Sequence, residues 1–234
     1  MINFLDYVAI GEVSQGKITQ EVVKKIHALA VDKLLPHEQC GEYRKTQVVV
    51  KNSLTGEVTF RPPPAIEVSF QVEDFLEWLN SLPKDDLHPV LKAGITHYEL
   101  VRIHPFIDGN GRMARATATL VLFLDNYDIK KFFSLEEHFD SDPASYYEAF
   151  SEVDKQSKNI GARNLTAWLE YFTQAVASEL SQIKEKVKKL SIDIRLKAKM
   201  GEQVTLSERQ MRLFEYVSDQ GSAGMLDLKK VLPM

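Results

Sequence analysis

Two helical stretches in the middle of the chain are joined by a short loop that begins at His104-Pro105 and contains Gly109-Asn110-Gly111. Apolar residues recur at helical spacing from Val90 to Val101, and a second helical pattern runs from Arg112 to about Asn126. Because proline disfavours helical backbone in the residue before it, the first helix has to end near His104. Alanines in the second helix leave little side-chain bulk, so the sequence predicts two central, closely packed helices with the loop between them.

The rest of the chain reads mainly as helix, with one extended region. Val48, Val50, Val58 and Phe60 flank a turn-forming stretch that ends at Gly56, which predicts a hairpin over 48–61. Three prolines at 62–64 exclude a further paired strand on that side. The predicted fold class is therefore all-α with one small β-hairpin. Further helices are predicted at Thr19 to Leu35, Val72 to Asn80 and Ser145 to about Ser157.

The composition of the chain indicates its cellular location and the ligands it is not expected to attract. Among 234 residues, 44% are hydrophobic and 26% charged, which is ordinary for a globular protein. No apolar run is long enough to span a bilayer, and no secretory signal stands at the start, so a membrane location is not expected. The single cysteine, Cys40, excludes an internal disulfide framework and favours the cytoplasm. A net charge of −4 gives no general attraction for nucleic acid.

A long amphipathic helix and a small module are predicted after the core. An apolar stripe runs from Leu165 to Ile194 with steps of three or four residues, and it is also a candidate dimer surface. Ser207 and Gln210 form a capping-box pair that opens another helix, and a second apolar stretch covers Met225 to Leu232. We therefore expect a domain over 1–190 and a linker with a partial winged-helix module over 191–234.

The loop itself has the composition of an anion site. Gly109, Asn110 and Gly111 accept positive φ, so their backbone N–H groups can converge on one point, directly before a helix N-terminus that also favours an anion. Arg112 and Arg115 lie three residues apart on the first turn of that helix, so both can face the same ligand.

Two further side chains of the loop suit phosphate chemistry. Asp108 would repel phosphates unless Mg²⁺ lay between them, and carboxylate with phosphate is the usual coordination of that ion. His104, at the loop entrance, has an ordinary pKa near 6.5 that suits proton abstraction at neutral pH. Each feature alone has an ordinary structural explanation, but their coincidence in residues 104–115 predicts a phosphate-binding site assisted by histidine.

Residues 104–115 also resemble the signature of the Fic family, His-x-Phe-x-(Asp/Glu)-Gly-Asn-Gly-Arg-x-x-Arg, at every fixed position. Similar features extend over most of residues 1–180, including Gly41-Glu42-Tyr43-Arg44 and Tyr146-Tyr147-Glu148-Ala149-Phe150. The resemblance implies a protein adenylyltransferase, which transfers AMP from ATP to a Ser, Thr or Tyr hydroxyl of a target protein, or of itself, and releases pyrophosphate.

The resemblance also implies roles for single residues. His104 would deprotonate the acceptor hydroxyl, and Asp108 would hold Mg²⁺ or Mn²⁺ against the phosphates. Gly109, Asn110 and Gly111 would bind phosphate through backbone N–H groups, with the Asn110 side chain toward the α-phosphate. Arg112 would bind the β-phosphate and act in catalysis, while Arg115 would lie near the γ-phosphate.

The resemblance further implies that the hairpin is a flap, which docks the target protein on Val58, Thr59, Phe60 and Arg61. Tyr146 and Tyr147 are candidates for the nucleotide pocket, although both could equally be core aromatics.

One departure from the family pattern concerns regulation. Many members carry an inhibitory helix with Ser/Thr-x-x-x-Glu-Gly/Asn, whose glutamate pairs with the second arginine of the loop. No such motif is found here, since Ser53 to Glu57 has the spacing but is followed by Val58. We expect either a shortened form or inhibition by a separate protein, with Arg115 unrestrained and the chain constitutively competent.

Other functions stay open from the sequence. Fic proteins also transfer UMP, phosphocholine or a phosphate, and Gly111, where the phosphate-transferring members usually have lysine, favours AMP. A DNA-binding regulator would use the basic segment from Lys184 to Lys199, but no recognition helix is present. A cysteine enzyme built on Cys40 lacks an activating environment beyond His37. A metal site on His97 and His104 lacks a third ligand.

Overall fold

The structure is a computed structural model that describes residues 16–51, 56–83, 86–127, 135–157, 160–200 and 206–220. Helices dominate this part of the chain, and a two-stranded antiparallel sheet interrupts them. The elements in chain order are α1 (Gln20–Ala30), β1 (Val50–Lys51), β2 (Val58–Phe60), α2 (Val68–Ser81), α3 (Pro89–Ile103), α4 (Asn110–Leu124), α5 (Leu135–Ser141), α6 (Pro143–Asp154), α7 (Thr166–Met200) and α8 (Glu208–Gln220).

Helices α3 and α4 form the centre of the fold, as their sequences predict, and among the described elements they contact each other most extensively. Small side chains on α4, including Ala114 and Ala118, are completely buried there. Gly94 of α3 allows α7 to approach closely, because a Cβ at this position would lie 2.9 Å from Leu169. The indole of Trp168 donates to the Gly94 carbonyl at 2.8 Å. The loop between α3 and α4 is thus attached to a tightly packed core.

Helix α1 packs against α4, and so it reaches the rear of the central loop. Thr19 caps its N-terminus by accepting from the Val22 amide. The Asn80 amide at the end of α2 bonds both the N–H and the carbonyl of Ile18, at 3.0 and 2.8 Å, which fixes the start of α1 on α2. These contacts determine where the inner face of α1 lies.

The hairpin is smaller than the sequence predicts. Val50 pairs with Phe60 and Lys51 with Val58, with an irregularity in the register between the two pairs. Val48 precedes β1 rather than lying in it, and residues 52–55 of the predicted turn lie outside the described residues. Phe60 faces the core side and contacts the ring of Phe150 at a centroid distance of 5.9 Å. The Phe60 ring therefore attaches the hairpin to the helical core.

The chain divides into two compact units, one up to Ile183 and one from Lys184. In the second unit, the predicted capping box is present, since Ser207 accepts from the Gln210 amide and Gln210 accepts from the Ser207 amide. The predicted stretch from Met225 to Leu232 lies outside the described residues. Among the described residues, no helix is long and apolar enough to cross a membrane.

Two helix predictions need correction. Helix α1 ends at Ala30 rather than Leu35, and Lys33 takes a positive φ of 63° that stops any continuation. Helix α5, at Leu135–Ser141, was not predicted, because seven residues are too few to show a helical period. It matters for function, since α5 lies beside α4 and carries a partner for Arg115.

Candidate active site

The loop between α3 and α4 contains two residues whose backbone lies in the left-handed region of φ and ψ. His104 ends α3 with φ 54° and ψ 58°, and Gly109 precedes α4 with φ 75°. Histidine tolerates this region better than most residues, whereas a Cβ at Gly109 would lie 2.3 Å from Val31. The sequence therefore predicted glycine correctly as the residue that permits this turn, and the structure adds that packing against Val31 requires it.

His104 is held in one tautomer. Its Nδ1 lies 3.1 Å from the Val101 carbonyl oxygen, which can only accept, so Nδ1 carries the proton and Nε2 keeps a free lone pair. Burial lowers the pKa of His104, and the hydrogen bond to Val101 partly opposes that effect. Nε2 is therefore unprotonated at neutral pH, which is the form a general base requires.

Arg44 holds the start of the loop in place through buried hydrogen bonds. Arg44 is 4% exposed, and its guanidinium donates from Nε to the His104 carbonyl at 2.8 Å and from Nη2 to the Pro63 carbonyl at 2.6 Å. Its own backbone amide donates to the Pro105 carbonyl at 2.9 Å. A buried guanidinium at the carboxyl end of α3 also satisfies carbonyls that the helix leaves unpaired.

The Asn110 side chain closes the loop on itself. Its Oδ1 accepts from the Phe106 amide at 2.8 Å, and its Nδ2 donates to the Phe106 carbonyl at 2.9 Å. Asn110 is 2% exposed. Nδ2 carries a second N–H that neither bond uses, so the contact of this side chain with an α-phosphate stays a prediction.

Asp108 and Gly109 form the outer part of the loop. The Asp108 carboxylate is exposed, and its Oδ1 accepts from the Gly109 amide at 2.6 Å. The Asp108 carbonyl points the other way and accepts from Nε2 of the buried His27 at 2.9 Å. The carboxylate thus covers an amide that an anion could also bind.

The two arginines of α4 lie beside the loop with unused donors. The Nη1 of Arg112 and the Nε of Arg115 are buried, and neither has a hydrogen-bond partner among the described residues. Gly111 lies beneath the Arg115 guanidinium, since a Cβ there would be 3.3 Å from Nη1. Because buried donors without partners are costly, these atoms fit an anionic ligand at the loop.

Arg115 is not unrestrained, contrary to the expectation from the missing inhibitory motif. Its Nη2 lies 2.8 Å from Oε1 of Glu136 on α5. The Glu136 side chain is 45% exposed, so solvent screens much of the attraction. The sequence suggested no pairing because α5 itself was not predicted.

The aromatic candidates separate into one core residue and one exposed residue. The Tyr146 ring contacts Phe139, His97 and Trp168 within an aromatic cluster, and burial raises its pKa. Tyr147 is 61% exposed and meets the Tyr146 ring edge-on at 5.2 Å. Tyr147 is therefore the one of the two whose face is available to a ligand.

Of the four hairpin candidates, Phe60 lies next to His104. The Phe60 ring approaches the His104 imidazole with a centroid distance of 6.4 Å. Val58 is 39% exposed, and Thr59 donates from its hydroxyl to the Val50 carbonyl. Arg61 follows β2 and is exposed.

The described residues contain no group of three or more side chains that could hold a metal ion by themselves. Asp108 offers one exposed carboxylate, so a cation here would need phosphate oxygens or water as its other ligands. The alternative pair His97 and His104 is not supported, because His97 is completely buried in the aromatic cluster. The Cys40 thiol, the other alternative, contacts only backbone carbonyls, those of Leu35 and Pro36, in the hydrogen bonds of the described chain.

Solved structures share this fold. A Fic family protein from Desulfovibrio desulfuricans G20 superposes with a TM-score of 0.62 at 23% identity, covering 99% of this chain and 60% of that protein. A Fic domain containing signaling protein from Bacteroides thetaiotaomicron gives a TM-score of 0.61 at 22% identity, with 88% and 72% covered.

Sequence comparison identifies the domain. Residues 17–122 match the Fic/DOC family, and this stretch includes the loop between α3 and α4. The chain is 35% identical over 123 residues to a protein adenylyltransferase Fic from Drosophila grimshawi and 34% identical over 137 residues to one from Nematostella vectensis. These stretches cover 53% and 54% of this chain, but only 24% and 30% of the relatives.

Sequence reasoning missed three residues that shape the site: His27, Arg44 and Glu136. Arg44 entered the sequence analysis only as part of a family-like segment, and His27 did not enter it at all. Their roles depend on which backbone groups they meet across 60 and 81 residues of sequence. No local pattern encodes such contacts.

Proposed function

We propose that this chain is a protein adenylyltransferase that transfers AMP from ATP to the hydroxyl of a Ser, Thr or Tyr side chain on a protein. The observation that carries the proposal is the free Nε2 lone pair of His104, at the entrance of a loop whose neighbouring arginines have unpaired buried donors. The adenylyltransferases named among the relatives support the same reaction, although this chain spans only about a quarter of their length.

The proposed reaction needs one base and one leaving group. His104 Nε2 takes the proton of the acceptor hydroxyl as its oxygen attacks the α-phosphorus of ATP. The bond from that phosphorus to the bridging oxygen breaks, and pyrophosphate leaves with the electron pair. Because the chain forms no covalent intermediate in this scheme, its contribution is positioning and stabilisation of charge.

The phosphates would lie on the loop and the first turn of α4. Backbone amides of Gly109, Asn110 and Gly111 would donate to them, the first after the Asp108 carboxylate releases it. Arg112 and Arg115 would supply the donors that are unpaired now. Arg112 would then neutralise the pyrophosphate that departs, which is its proposed catalytic role.

A divalent cation fits this arrangement. Asp108 would hold Mg²⁺, or Mn²⁺, through its exposed carboxylate, and the bound ion would neutralise charge on the phosphates. Tyr147 would stack on the base of the nucleotide, since its face is exposed beside the buried Tyr146.

The acceptor protein would dock along the hairpin by strand addition at Val58–Arg61, beside His104.

Transfer of another nucleotide or of a phosphate group by the same loop is the second candidate reaction of the site. The C-terminal unit is proposed as a partial winged-helix module, with DNA as a less favoured ligand for its basic segment. A second copy of this chain and a separate inhibitory protein are further proposed partners, and the single cysteine favours a cytoplasmic location.

One experiment tests the proposed reaction. The purified chain is incubated with Mg²⁺ and, in parallel, with ATP labelled on the α-phosphate or on the γ-phosphate, alone and with cell lysate; the α-label reports AMP transfer and the γ-label phosphate transfer. We expect labelled protein with the wild type, and His104→Ala to lower the rate by roughly 10²- to 10⁴-fold while ATP affinity changes little. Arg112→Ala should lower both rate and affinity. Full labelling by His104→Ala would remove the base assignment, and label from the γ-phosphate alone would show phosphate transfer instead.

A further inference from the structure

His27 is a buried histidine on α1, on the side of the loop away from solvent, and both of its ring nitrogens are engaged. The backbone amide of Gly41 donates to Nδ1 at 2.9 Å, so Nδ1 must be the unprotonated nitrogen. Nε2 then carries the proton and donates to the Asp108 carbonyl at 2.9 Å. The ring is completely buried. A single tautomer of this one side chain therefore joins α1, the segment at Gly41 and the loop.

Packing holds the imidazole against the loop as well. The ring of Phe106 stacks on it with centroids 3.7 Å apart and planes 2° from parallel. Gly109 lies against its edge, because a Cβ at Gly109 would be 3.2 Å from Nε2. Three residues of the loop thus lie against His27: Phe106 through its ring, Asp108 through its carbonyl, and Gly109, which leaves no room for a Cβ.

The bond to Asp108 has a consequence on the opposite side of the loop. The carbonyl of Asp108 and the amide of Gly109 belong to one trans peptide group, in which C=O and N–H point in opposite directions. Fixing the carbonyl toward the buried His27 therefore turns the Gly109 amide toward the exposed Asp108 carboxylate, where the phosphates are proposed to bind.

A second buried histidine shows that burial alone does not create such a contact. His97 on α3 is also completely buried, but neither of its ring nitrogens has a hydrogen-bond partner among the described residues. It packs on Trp168 with ring centroids 5.0 Å apart. His97 serves as an aromatic filler, whereas His27 satisfies one donor and one acceptor on two separate segments.

We propose that His27 is a positioning residue for nucleotide binding: it orients the 108–109 peptide group so that the Gly109 amide and the Asp108 carboxylate face the phosphates and their cation. The identity of the ligand rests on the proposed function, whereas the contacts of His27 with the loop do not depend on it. His27 touches no reacting atom, so its effect should appear in the affinity for nucleotide and in the order of the loop, rather than in proton transfer.

Three variants separate the hydrogen bond from simple packing. His27→Phe keeps a ring against Phe106 but leaves the Asp108 carbonyl and the Gly41 amide without partners. His27→Gln has an amide nitrogen that can still donate to Asp108. His97→Phe is the matched control, a buried histidine replaced by the same ring away from the loop. For each, we would measure Mg-ATP binding by calorimetry, amide hydrogen exchange over residues 104–111 without nucleotide, and thermal unfolding.

His27→Phe should weaken Mg-ATP binding by about tenfold, the effect of one lost hydrogen bond, and should speed exchange at 109–111. His27→Gln should restore most of both, and His97→Phe should change neither. Wild-type affinity and exchange in His27→Phe would overturn the proposal. So would a folded His27→Gln variant no better than His27→Phe, since packing rather than the hydrogen bond would then hold the loop.

The outcomes also distinguish this inference from the proposed function. If the wild type binds no ATP, the proposed function fails, and hydrogen exchange alone decides whether His27 orders the loop. If His27→Phe does not fold, the comparison of His27→Gln with the wild type decides: near-native exchange and affinity support the bond to Asp108. Strongly raised exchange and lost affinity in that variant would refute it.

Discussion

The loop and the hairpin meet where Phe60 contacts His104, but they are built in opposite ways. The loop is fixed from behind by buried hydrogen bonds from His27, Arg44 and Asn110. The hairpin has two strands of two and three residues, an irregular register and one aromatic side chain facing the core. A site that must place phosphates needs preformed geometry, whereas a surface that must accept varied protein segments needs an open edge.

Two glycines allow the most direct test of this difference between the loop and the hairpin. Gly109 in the loop and Gly56 beside the hairpin have nearly the same backbone, with φ of 75° and 73°. A Cβ at Gly109 would meet Val31 at 2.3 Å, but a Cβ at Gly56 would meet none of the described residues within 4 Å. Gly109→Ala should lower AMP transfer by about 100-fold or more, because the loop has to shift. Gly56→Ala should cost only the left-handed strain, about 1 kcal/mol of unfolding free energy.

The measurement is the initial rate of labelling with ATP, together with thermal unfolding of both variants. Similar losses of activity in the two would show that left-handed strain, and not the close contact with Val31, determines the effect. Unchanged activity in Gly109→Ala would mean that the loop tolerates displacement, and the contrast with the hairpin would no longer hold.

The second prediction concerns the pH range in which the loop can work. Burial lowers the pKa of His104 below its ordinary 6.5, and the charged neighbours Arg44 and Asp108 act in opposite directions on it. Since the base must be unprotonated, activity should persist below pH 6.5 and then fall tenfold per pH unit beneath the lowered pKa. A pH profile of kcat/KM checks this. An acid limb centred above 6.5 would contradict the burial of His104.

The third prediction tests how the hairpin contributes to the loop. Phe60 covers His104 and packs on Phe150, so Phe60→Ala should open this side of the imidazole to water. We expect roughly tenfold weaker transfer to protein acceptors, an unchanged KM for ATP, and an acid limb displaced toward 6.5 as desolvation is relieved. Ile66→Ala, which removes an apolar side chain that is 92% exposed and lies after the hairpin, is the control and should change the rate by less than about twofold. A change in KM for ATP would instead make the hairpin part of the nucleotide site.

How far the sequence could predict this molecule differs between the same two regions. In the loop, His104-Pro105 and Gly109 dictate the end of one helix, a left-handed turn and the start of the next, so local rules were sufficient. The parts that hold the loop were not predictable, because His27 and Arg44 act on carbonyls far away in sequence. The commitment of the Asn110 side chain to Phe106 was also missed, since an amide in a glycine-rich loop has several partners within reach. In the hairpin, alternating residues gave the strands but not the irregular register.

The last and smallest effect is expected at the exposed face of the loop, where Glu136 pairs with Arg115. The pair is close, at 2.8 Å, but the Glu136 side chain is 45% exposed, and such pairs contribute about 1 kcal/mol or less. Glu136→Gln keeps the shape and removes the charge. If phosphates and Glu136 compete for Arg115, this variant should bind ATP about two- to fivefold more tightly, and added salt should reduce the difference. Weaker binding would show instead that Glu136 holds Arg115 in its binding position. The hydrogen bonds of His27, Arg44 and Asn110 are buried, whereas the pair of Glu136 with Arg115 is partly exposed. We therefore expect Glu136→Gln to have a much smaller effect than Gly109→Ala. An equally large effect would show that exposed contacts fix the loop as strongly as buried ones.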